Sequence, residues 1–406
     1  MRFLNPVKNY FSWNKCSEYN SFCNFFLILS FFIITTPLLS QQVDSTKVNP
    51  ADYDPLIPVL HRALTPDGQG NITFTPGLRI QTRYDLERDE EGHRNNDFFI
   101  RRLRIKGGGK VYDIANYYFE VKIDNTGKFN RTPVAQVENA WLDFKIKDAL
   151  IIRGGLFDMV FSRNALTSDS KLLLMDRSLI KGGLTVLGIA DNTVGFLVHG
   201  RPMDGHLSYG AGIFDNLGFE ILGDTTILSR KSDGAMFTGR IGYNFFDPAS
   251  PGGYGDYRGS YNGQGKRLTI SANAAYLSKA QIGDREFHLF AYGVDAFYNT
   301  GNLVIEAEYD AYREDATHEG DQNINGSGWY VQAGYMIFPK IELATRYQEF
   351  DMDNNVETDN LMWTTIGINY YLRGHNLKIQ AEYTFKREQV EDPDNDLFQV
   401  QLQFDF

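Results

Sequence analysis

The sequence predicts an all-β protein, a closed antiparallel transmembrane β-barrel of about 16 strands, and three observations lead to that prediction. Apolar and polar residues alternate along successive segments from residue 73 to the C-terminus, which is the period of a strand with two unlike faces. Short connections between these segments alternate with long polar ones. Aromatic residues make up 14% of the chain, with 23 Tyr, and amphipathic rings suit the two edges of a membrane.

The N-terminal segment, residues 1–40, has the order of a secretory signal peptide. Arg2, Lys8 and Lys15 precede an apolar run at 25–34, and the small residue Ser40 follows. The apolar run is shorter than the roughly 20 residues that a membrane-spanning helix needs, although a retained N-terminal anchor is the alternative. Both cysteines of the chain lie in this segment. Residues 41–72 are expected to be a polar lead-in, in which four prolines discourage regular structure.

The predicted barrel covers residues 73–406, and its strands are clearest at the C-terminus. Phe398, Val400 and Leu402 share one face, whereas Gln399 and Gln401 share the other. The same alternation predicts strands near 73–86, 97–107, 116–124, 136–147, 149–157, 192–200, 205–214, 235–246, 266–277, 285–299, 302–313, 328–338, 340–350, 360–372, 375–387 and 395–406. An open sheet edge is prohibited in lipid by its unpaired backbone groups, so the strands should close. An exported soluble β-sandwich or β-solenoid is the alternative.

The lengths of the connections distinguish the two ends of the predicted barrel. Tight connections fall at 148, 201–204, 300–301, 339 and 373–374, and long polar ones at 125–135, 158–191, 314–327, 351–359 and 388–394. Short turns at one end and long loops at the other are typical of outer-membrane barrels. Segment 247–265 is the exception, because it is long where a tight turn is expected, and a hairpin hidden there would change the strand count.

Composition and charge exclude several classes of protein. A mean hydropathy of −0.35 is too polar for a bundle of membrane-spanning helices. The formal charge is −11, and it becomes −13 without residues 1–40, which argues against nucleic acid as a partner. The seven histidines are scattered without a metal-ligand spacing, and no nucleophile motif is present. We therefore predict no enzyme, no catalytic residue, no cofactor and no metal site.

Basic residues on the first two strands could form a row of cations inside the barrel. Arg79 and Arg83 share one face of the first strand, and Arg102, Arg104 and Lys106 share one face of the second. Such rows can attract anions along a channel. The alternative is that they pair with carboxylates on the same inner surface, for which the sequence offers Glu120, Glu306, Glu308 and Glu382.

The longest connection, residues 158–191, contains many apolar residues that would be poorly placed in open water. We expect this loop to fold into the barrel lumen. Its charged residues then become candidates for narrowing the lumen: Arg163, Lys171, Asp176, Arg177 and Lys181. The alternative is a loop that latches onto a neighbouring subunit or caps the barrel.

Several short motifs in this order resemble the phosphate-selective porin O and P family. They are 155–163 (GLFDMVFSR), 166–168 (LTS), 176–179 (DRSL), 334–340 (GYMIFPK), 346–347 (RY), 368–371 (INYY) and 377–378 (LK). The resemblance covers residues 73–406 and implies a 16-stranded general or anion-selective porin, commonly trimeric, whose long third loop lines the constriction. Asp158 and Val160 depart from the Lys and Pro that are usual in the first motif, which puts phosphate selectivity in doubt.

These observations together predict an outer-membrane porin of a bacterial cell, through which small hydrophilic solutes diffuse passively. Phosphate or other anions are the named candidates among those solutes. The expected partners are outer-membrane lipid and two further copies of the chain in a homotrimer. A barrel that acts mainly as a binding or adhesion platform through its long loops is the alternative function.

Overall fold

A computed structural model describes residues 65–88, 94–215, 230–232, 234–247, 257–282, 285–318, 320–356, 358–389 and 395–406. The predicted signal peptide at 1–40 and most of the predicted lead-in therefore lie outside the described residues. The strands are β1 (Thr75–Arg88), β2 (Arg94–Val111), β3 (Ala115–Thr126), β4 (Ala135–Lys147), β5 (Leu150–Asp158), β6 (Asn192–Gly200), β7 (Leu207–Phe214), β8 (Arg230–Ser232), β9 (Met236–Asn244), β10 (Lys266–Ile282), β11 (Arg285–Thr300), β12 (Leu303–Ala316), β13 (Ile324–Phe338), β14 (Ile341–Asp351), β15 (Leu361–Arg373), β16 (Leu377–Glu388) and β17 (Leu397–Asp405).

All of these strands belong to one antiparallel sheet that closes on itself, because β1 pairs with both β2 and β17. The three-residue strand β8 and the longer β9 both pair with β10, one after the other along its length. They therefore occupy one position in the wall, and the barrel has 16 strands. The predicted fold class is confirmed, and the predicted segments coincide with these strands apart from small shifts at their ends.

The two faces of each strand follow the alternation in the sequence. Along β17 the side chains of Gln399, Gln401 and Gln403 are buried, while Leu402 is 51% exposed. Outward-facing apolar residues recur around the wall, among them Ile105, Phe196 and Ile366. An apolar outer band over a polar interior is the arrangement that lipid requires of a membrane barrel.

Two short helices interrupt the connection between β5 and β6, namely α1 (Arg163–Leu166) and α2 (Leu179–Val186). Neither helix in the described ranges is long and apolar enough to cross a membrane. The connection between β9 and β10 is long, as the sequence indicates, but the two strands pair directly with each other. It therefore adds no strand to the barrel wall.

Candidate functional site

The segment between β5 and β6, residues 159–191, lies inside the barrel, and we call it the inward loop. Helix α1 is held by Glu308 on β12, whose carboxylate oxygens accept hydrogen bonds from the backbone N–H groups of Arg163 and Asn164 at 2.8 and 3.0 Å. The Ser162 hydroxyl oxygen accepts a further bond from Ala165 at 3.2 Å. The wall and the loop thus both provide hydrogen-bond acceptors for the N–H groups at the start of this helix, which have no partner within the helix.

Arg163 is the deepest cation of the inward loop, with 1% of its surface exposed. Its guanidinium forms an ion pair with Glu306 at 3.1 Å and lies over the ring of Phe297 at 4.0 Å. It also donates to the backbone carbonyl of Arg258 at 3.2 Å. A buried charge of this kind is tolerated only when it is paired and hydrogen-bonded, and Glu306 together with the Arg258 carbonyl meets both requirements.

Side chains of the barrel wall provide many of the hydrogen bonds to the extended part of the inward loop. Lys378 donates to the Leu172 carbonyl at 3.1 Å, and Asn369 donates to the Leu173 carbonyl at 2.8 Å. Further bonds of this kind run from Gln403 to Ser170, from Arg346 to Asp176 and from the backbone N–H of Met175 to Glu382. Buried backbone groups need such partners, so polar residues on β14 to β17 are structural.

The basic residues predicted on β1 and β2 all form ion pairs in the structure. Arg83 pairs with Asp176 at 2.9 Å, and Arg102 pairs with Asp169 at 2.9 Å, so both reach the inward loop. The remaining pairs are Arg79 with Asp405 at 3.0 Å, Lys106 with Asp405, and Arg104 with Glu120 at 3.0 Å and with Asp124. The row of cations is therefore neutralised by carboxylates, mostly ones that the sequence did not single out.

The other predicted cations of the inward loop differ in their surroundings. Arg177 pairs with Asp169 at 2.9 Å. Lys171 lines a cavity that lies beside the inward loop. Lys181, on α2, has no carboxylate within ion-pairing distance among the described residues, and burial together with the nearby charge of Arg177 lowers the pKa of its ammonium group.

Asp169 is the electrostatic centre of the inward loop. Burial by itself would raise the pKa of this carboxyl group, but the charges of Arg102, Arg177 and Arg104 outweigh burial and hold the pKa well below its usual range. The carboxylate is therefore ionised at any physiological pH, and it ties β2 to the loop. No local sequence signal identifies Asp169, because its partners lie 65 or more residues away or across the loop.

An apolar cluster fills the part of the lumen near the long-loop end of β7 to β14. Ile180 and Leu184 of α2 are at most 1% exposed and belong to one buried cluster with Leu277, Phe287 and Phe350 of the wall. On β9, β10 and β11, the apolar residues Met236, Leu277 and Phe287 occupy buried positions near the long-loop end. The inward loop is therefore seated by hydrophobic packing as well as by ion pairs.

A cavity of about 1410 Å³ remains beside the inward loop, along β3 to β6. Its lining carries equal numbers of basic and acidic side chains. The basic ones are Arg79, Lys145, Arg153, Lys171, Arg177, Arg201 and Arg258, and the acidic ones are Glu120, Glu138, Asp143, Asp148, Asp158, Asp169 and Asp204. The open space is therefore polar and close to charge balance.

Several of these lining charges neutralise one another across neighbouring strands. Arg153 forms two hydrogen bonds with Asp143, at 2.7 and 2.8 Å, and its guanidinium lies over the Trp141 ring at 3.8 Å. The Asp158 carboxylate, in contrast, has no hydrogen bond or ion pair among the described residues, although it stands where the wall meets the inward loop. Across the described ranges, no group of three or more His, Cys, Asp or Glu side chains could hold a metal ion.

The chain is similar to several known proteins. A protein of Aquifex aeolicus that has no assigned function is 25% identical over 370 residues, which cover 81% of this chain and 86% of the relative. The anion-selective porin of Comamonas acidovorans shares the fold with a TM-score of 0.60 and 13% identity over 82% of this chain and 100% of that one. The trimer form of OmpT from Vibrio cholerae also shares the fold, with a TM-score of 0.56. It is 13% identical over 82% of this chain and 99% of that one.

The family model described as phosphate-selective porin O and P matches residues 74–406, which is the whole barrel. The match agrees with the closed wall, the polar lumen and the inward loop described above. The protein is an outer-membrane channel of porin type, and it belongs to the phosphate-selective porin O and P family.

Proposed function

We propose that the protein is a passive diffusion channel for small hydrophilic solutes in the outer membrane of a bacterial cell. The observation that carries the proposal is the polar cavity of about 1410 Å³ beside the inward loop, with its balanced lining charges. A polar passage through an apolar outer wall lets hydrated solutes cross without entering lipid. The channel performs no bond chemistry and needs no cofactor.

The charges in the lumen favour a general channel over a phosphate-selective one. Recognition of an anion requires cations that are free to face it, and the basic residues of β1 and β2 are engaged by Asp169, Asp176 and Asp405. Family membership supports a channel, while these ion pairs argue for weak discrimination between small anions and cations.

We also propose that the channel assembles as a homotrimer. The support is the family resemblance and the trimer form of the structurally similar OmpT of Vibrio cholerae. Cross-linking of the purified, detergent-solubilised protein tests this proposal, with a limiting product of three chains as the expected result. A product that stops at one chain would contradict it.

Liposome swelling tests the transport function directly. Vesicles containing the folded protein should swell in iso-osmotic solutions of a monosaccharide and of a zwitterionic amino acid, and they should not swell in a large dextran. Protein-free vesicles are the control for leakage. If vesicles with verified folded barrels swell in none of these solutes, the channel proposal fails and the binding or adhesion platform takes its place.

A further inference from the structure

The connection between β9 and β10 also enters the barrel, and it does so from the short-turn end. Its described part includes residues 257–262, which we call the second insert. Tyr257 forms a parallel bridge with Thr167 of the inward loop, and the Gly259 N–H donates to the Lys171 carbonyl at 2.8 Å. The two segments therefore meet backbone to backbone inside the lumen, although they come from opposite ends of the barrel.

The wall also holds the second insert on its other side. The Ser260 hydroxyl donates to Glu342 at 2.7 Å, and the Ser260 carbonyl lies 2.7 Å from Nε2 of His375. Tyr261 packs edge-on against Phe297, with ring centroids 5.7 Å apart, in a buried cluster that includes Leu173 of the inward loop. The second insert is thus wedged between the wall and the inward loop.

The contact between the two segments is too close for a side chain at position 259. A Cβ atom on Gly259 would lie 2.4 Å from the backbone nitrogen of Leu173, a distance that cannot be relieved by rotating a flexible side chain. Glycine is the residue type that allows another backbone to approach so closely. This fit indicates a seated contact and not a chance approach of two loops.

The second insert places one charge at the open space. Arg258 lines the cavity together with Lys171 and Arg177 of the inward loop, while its backbone carbonyl accepts a hydrogen bond from Arg163. Glu138 and Asp158 of the barrel wall line the same cavity. A permeating ion therefore meets a cation that comes from the short-turn end.

We propose that residues 257–262 form a second constriction element, which supports the inward loop from the short-turn end and makes Arg258 a determinant of charge selectivity. This inference rests on the proposed channel function. It assigns part of the selectivity to a connection that in most barrels of this kind is only a short turn.

Charge reversal at Arg258 tests the selectivity half of the proposal. In planar bilayers under a salt gradient, Arg258→Glu should shift the reversal potential toward cation preference relative to the unmodified channel. Lys110→Glu is the matched control, because Lys110 is an exposed cation at the same end of the barrel and is not part of the cavity lining. Equal reversal potentials for Arg258→Glu and the unmodified channel would overturn the assignment.

A disulfide between the inward loop and the second insert tests the structural half of the proposal. With Cys16 and Cys23 replaced by Ser, the pair Thr167→Cys and Tyr257→Cys should cross-link on oxidation, because bridged residues meet the separation that a disulfide needs. Single-cysteine variants are the controls. The lock should leave the conductance unchanged, since it joins segments that are already in contact. Failure of folded barrels to cross-link, or a loss of conductance on locking, would contradict the seated insert.

The two proposals fail in different ways. Absence of openings from the unmodified, folded protein would contradict the channel function, and the disulfide lock would then still decide whether the second insert is seated. Normal openings that do not respond to Arg258→Glu would leave the channel function intact and remove the role of Arg258.

Discussion

The two halves of the lumen are built from the same alternating strands, yet they use their inner side chains differently. Along β12, β14 to β17, β1 and β2, inner polar groups bind the inward loop, as Glu308 binds α1 and Lys378 binds the Leu172 carbonyl. Along β3 to β6 the inner groups face open space, and pairs such as Arg153 with Asp143 lie between neighbouring strands.

This contrast shows that a charge on the inner face of a porin strand is not by itself a charge on the solute path. A charge in the filled half neutralises a group of the inward loop, and its removal should affect the position of the loop first. A charge in the open half faces water, and its removal should affect ion preference while leaving the barrel intact.

The largest effect is expected from Arg163→Ala, in the filled half. Removing one partner of a buried ion pair leaves the other uncompensated, which costs about 3–5 kcal/mol. Glu306 would be left without its cation, and the inward loop would lose its deepest anchor. We expect a lower thermal unfolding temperature and a higher or noisier single-channel conductance.

A double variant provides the control for Arg163. Arg163→Met combined with Glu306→Met removes both charges and keeps apolar volume, so most of the stability should return. Tyr330 would still donate to Glu308, at 2.8 Å. A double variant that is less stable than Arg163→Ala would show that the charge pair is not the anchor.

In the open half, Asp158→Lys should change selectivity and leave stability nearly unchanged. Asp158 lines the cavity, and its carboxylate has no hydrogen bond or ion pair among the described residues, so its replacement breaks no side-chain pair. The reversal potential under a salt gradient should shift toward anion preference. Asp113→Lys, at an exposed carboxylate outside the cavity lining, is the control and should cause no shift.

A smaller shift of the opposite sign is expected for Arg102→Ala combined with Arg104→Ala. These arginines pair with Asp169 and Glu120, so their loss exposes carboxylate charge and lowers the anion-to-cation permeability ratio. Reversal potentials that match those of the unmodified channel would show that the carboxylates left without a cation do not act on the passage. An unchanged unfolding temperature would contradict their role in seating the loop.

The smallest effect is expected from pH. Because ion pairs depress the pKa of Asp169 in the folded protein, its contribution to stability is complete above the unfolded value of about 3.9 and is lost as pH falls below that value. Titration of Asp169 should therefore change neither the conductance nor the unfolding temperature between about pH 8 and pH 5. Asp169→Asn should abolish the part of the stability loss at acid pH that comes from this carboxyl group. If the variant loses as much stability at acid pH as the unmodified protein, other carboxyl groups cause the loss.

The sequence predicts the wall well, because alternation with a period of two is a local property of each strand. The C-terminal row of Gln399, Gln401 and Gln403 against apolar neighbours is an example, and all three are buried toward the lumen. The strand count is ambiguous only at 247–265, where a long connection resembles a hidden hairpin. Direct pairing of β9 with β10 resolves it.

The lumen is less predictable, because its contacts join residues that are distant in the chain. Arg83 meets Asp176 and Arg102 meets Asp169, and nothing local in the sequence distinguishes these carboxylates from those of an exposed loop. Phe287 and Leu289 lie on the inner face, where alternation alone predicts polar residues. That the nine basic candidates set selectivity stays a prediction, although the structure shows that Arg83, Arg102 and Arg177 are engaged by carboxylates of the inward loop.

The central claim is that solutes pass through a charge-balanced opening in the unfilled half of the lumen. Single-channel recording in a planar bilayer, under a salt gradient and with phosphate titrated into the bath, tests it most directly. The account predicts stepwise openings, a reversal potential close to zero and no block by phosphate. A strong anion preference with phosphate block would contradict it and would show that the basic residues of β1 and β2 act on the solute path.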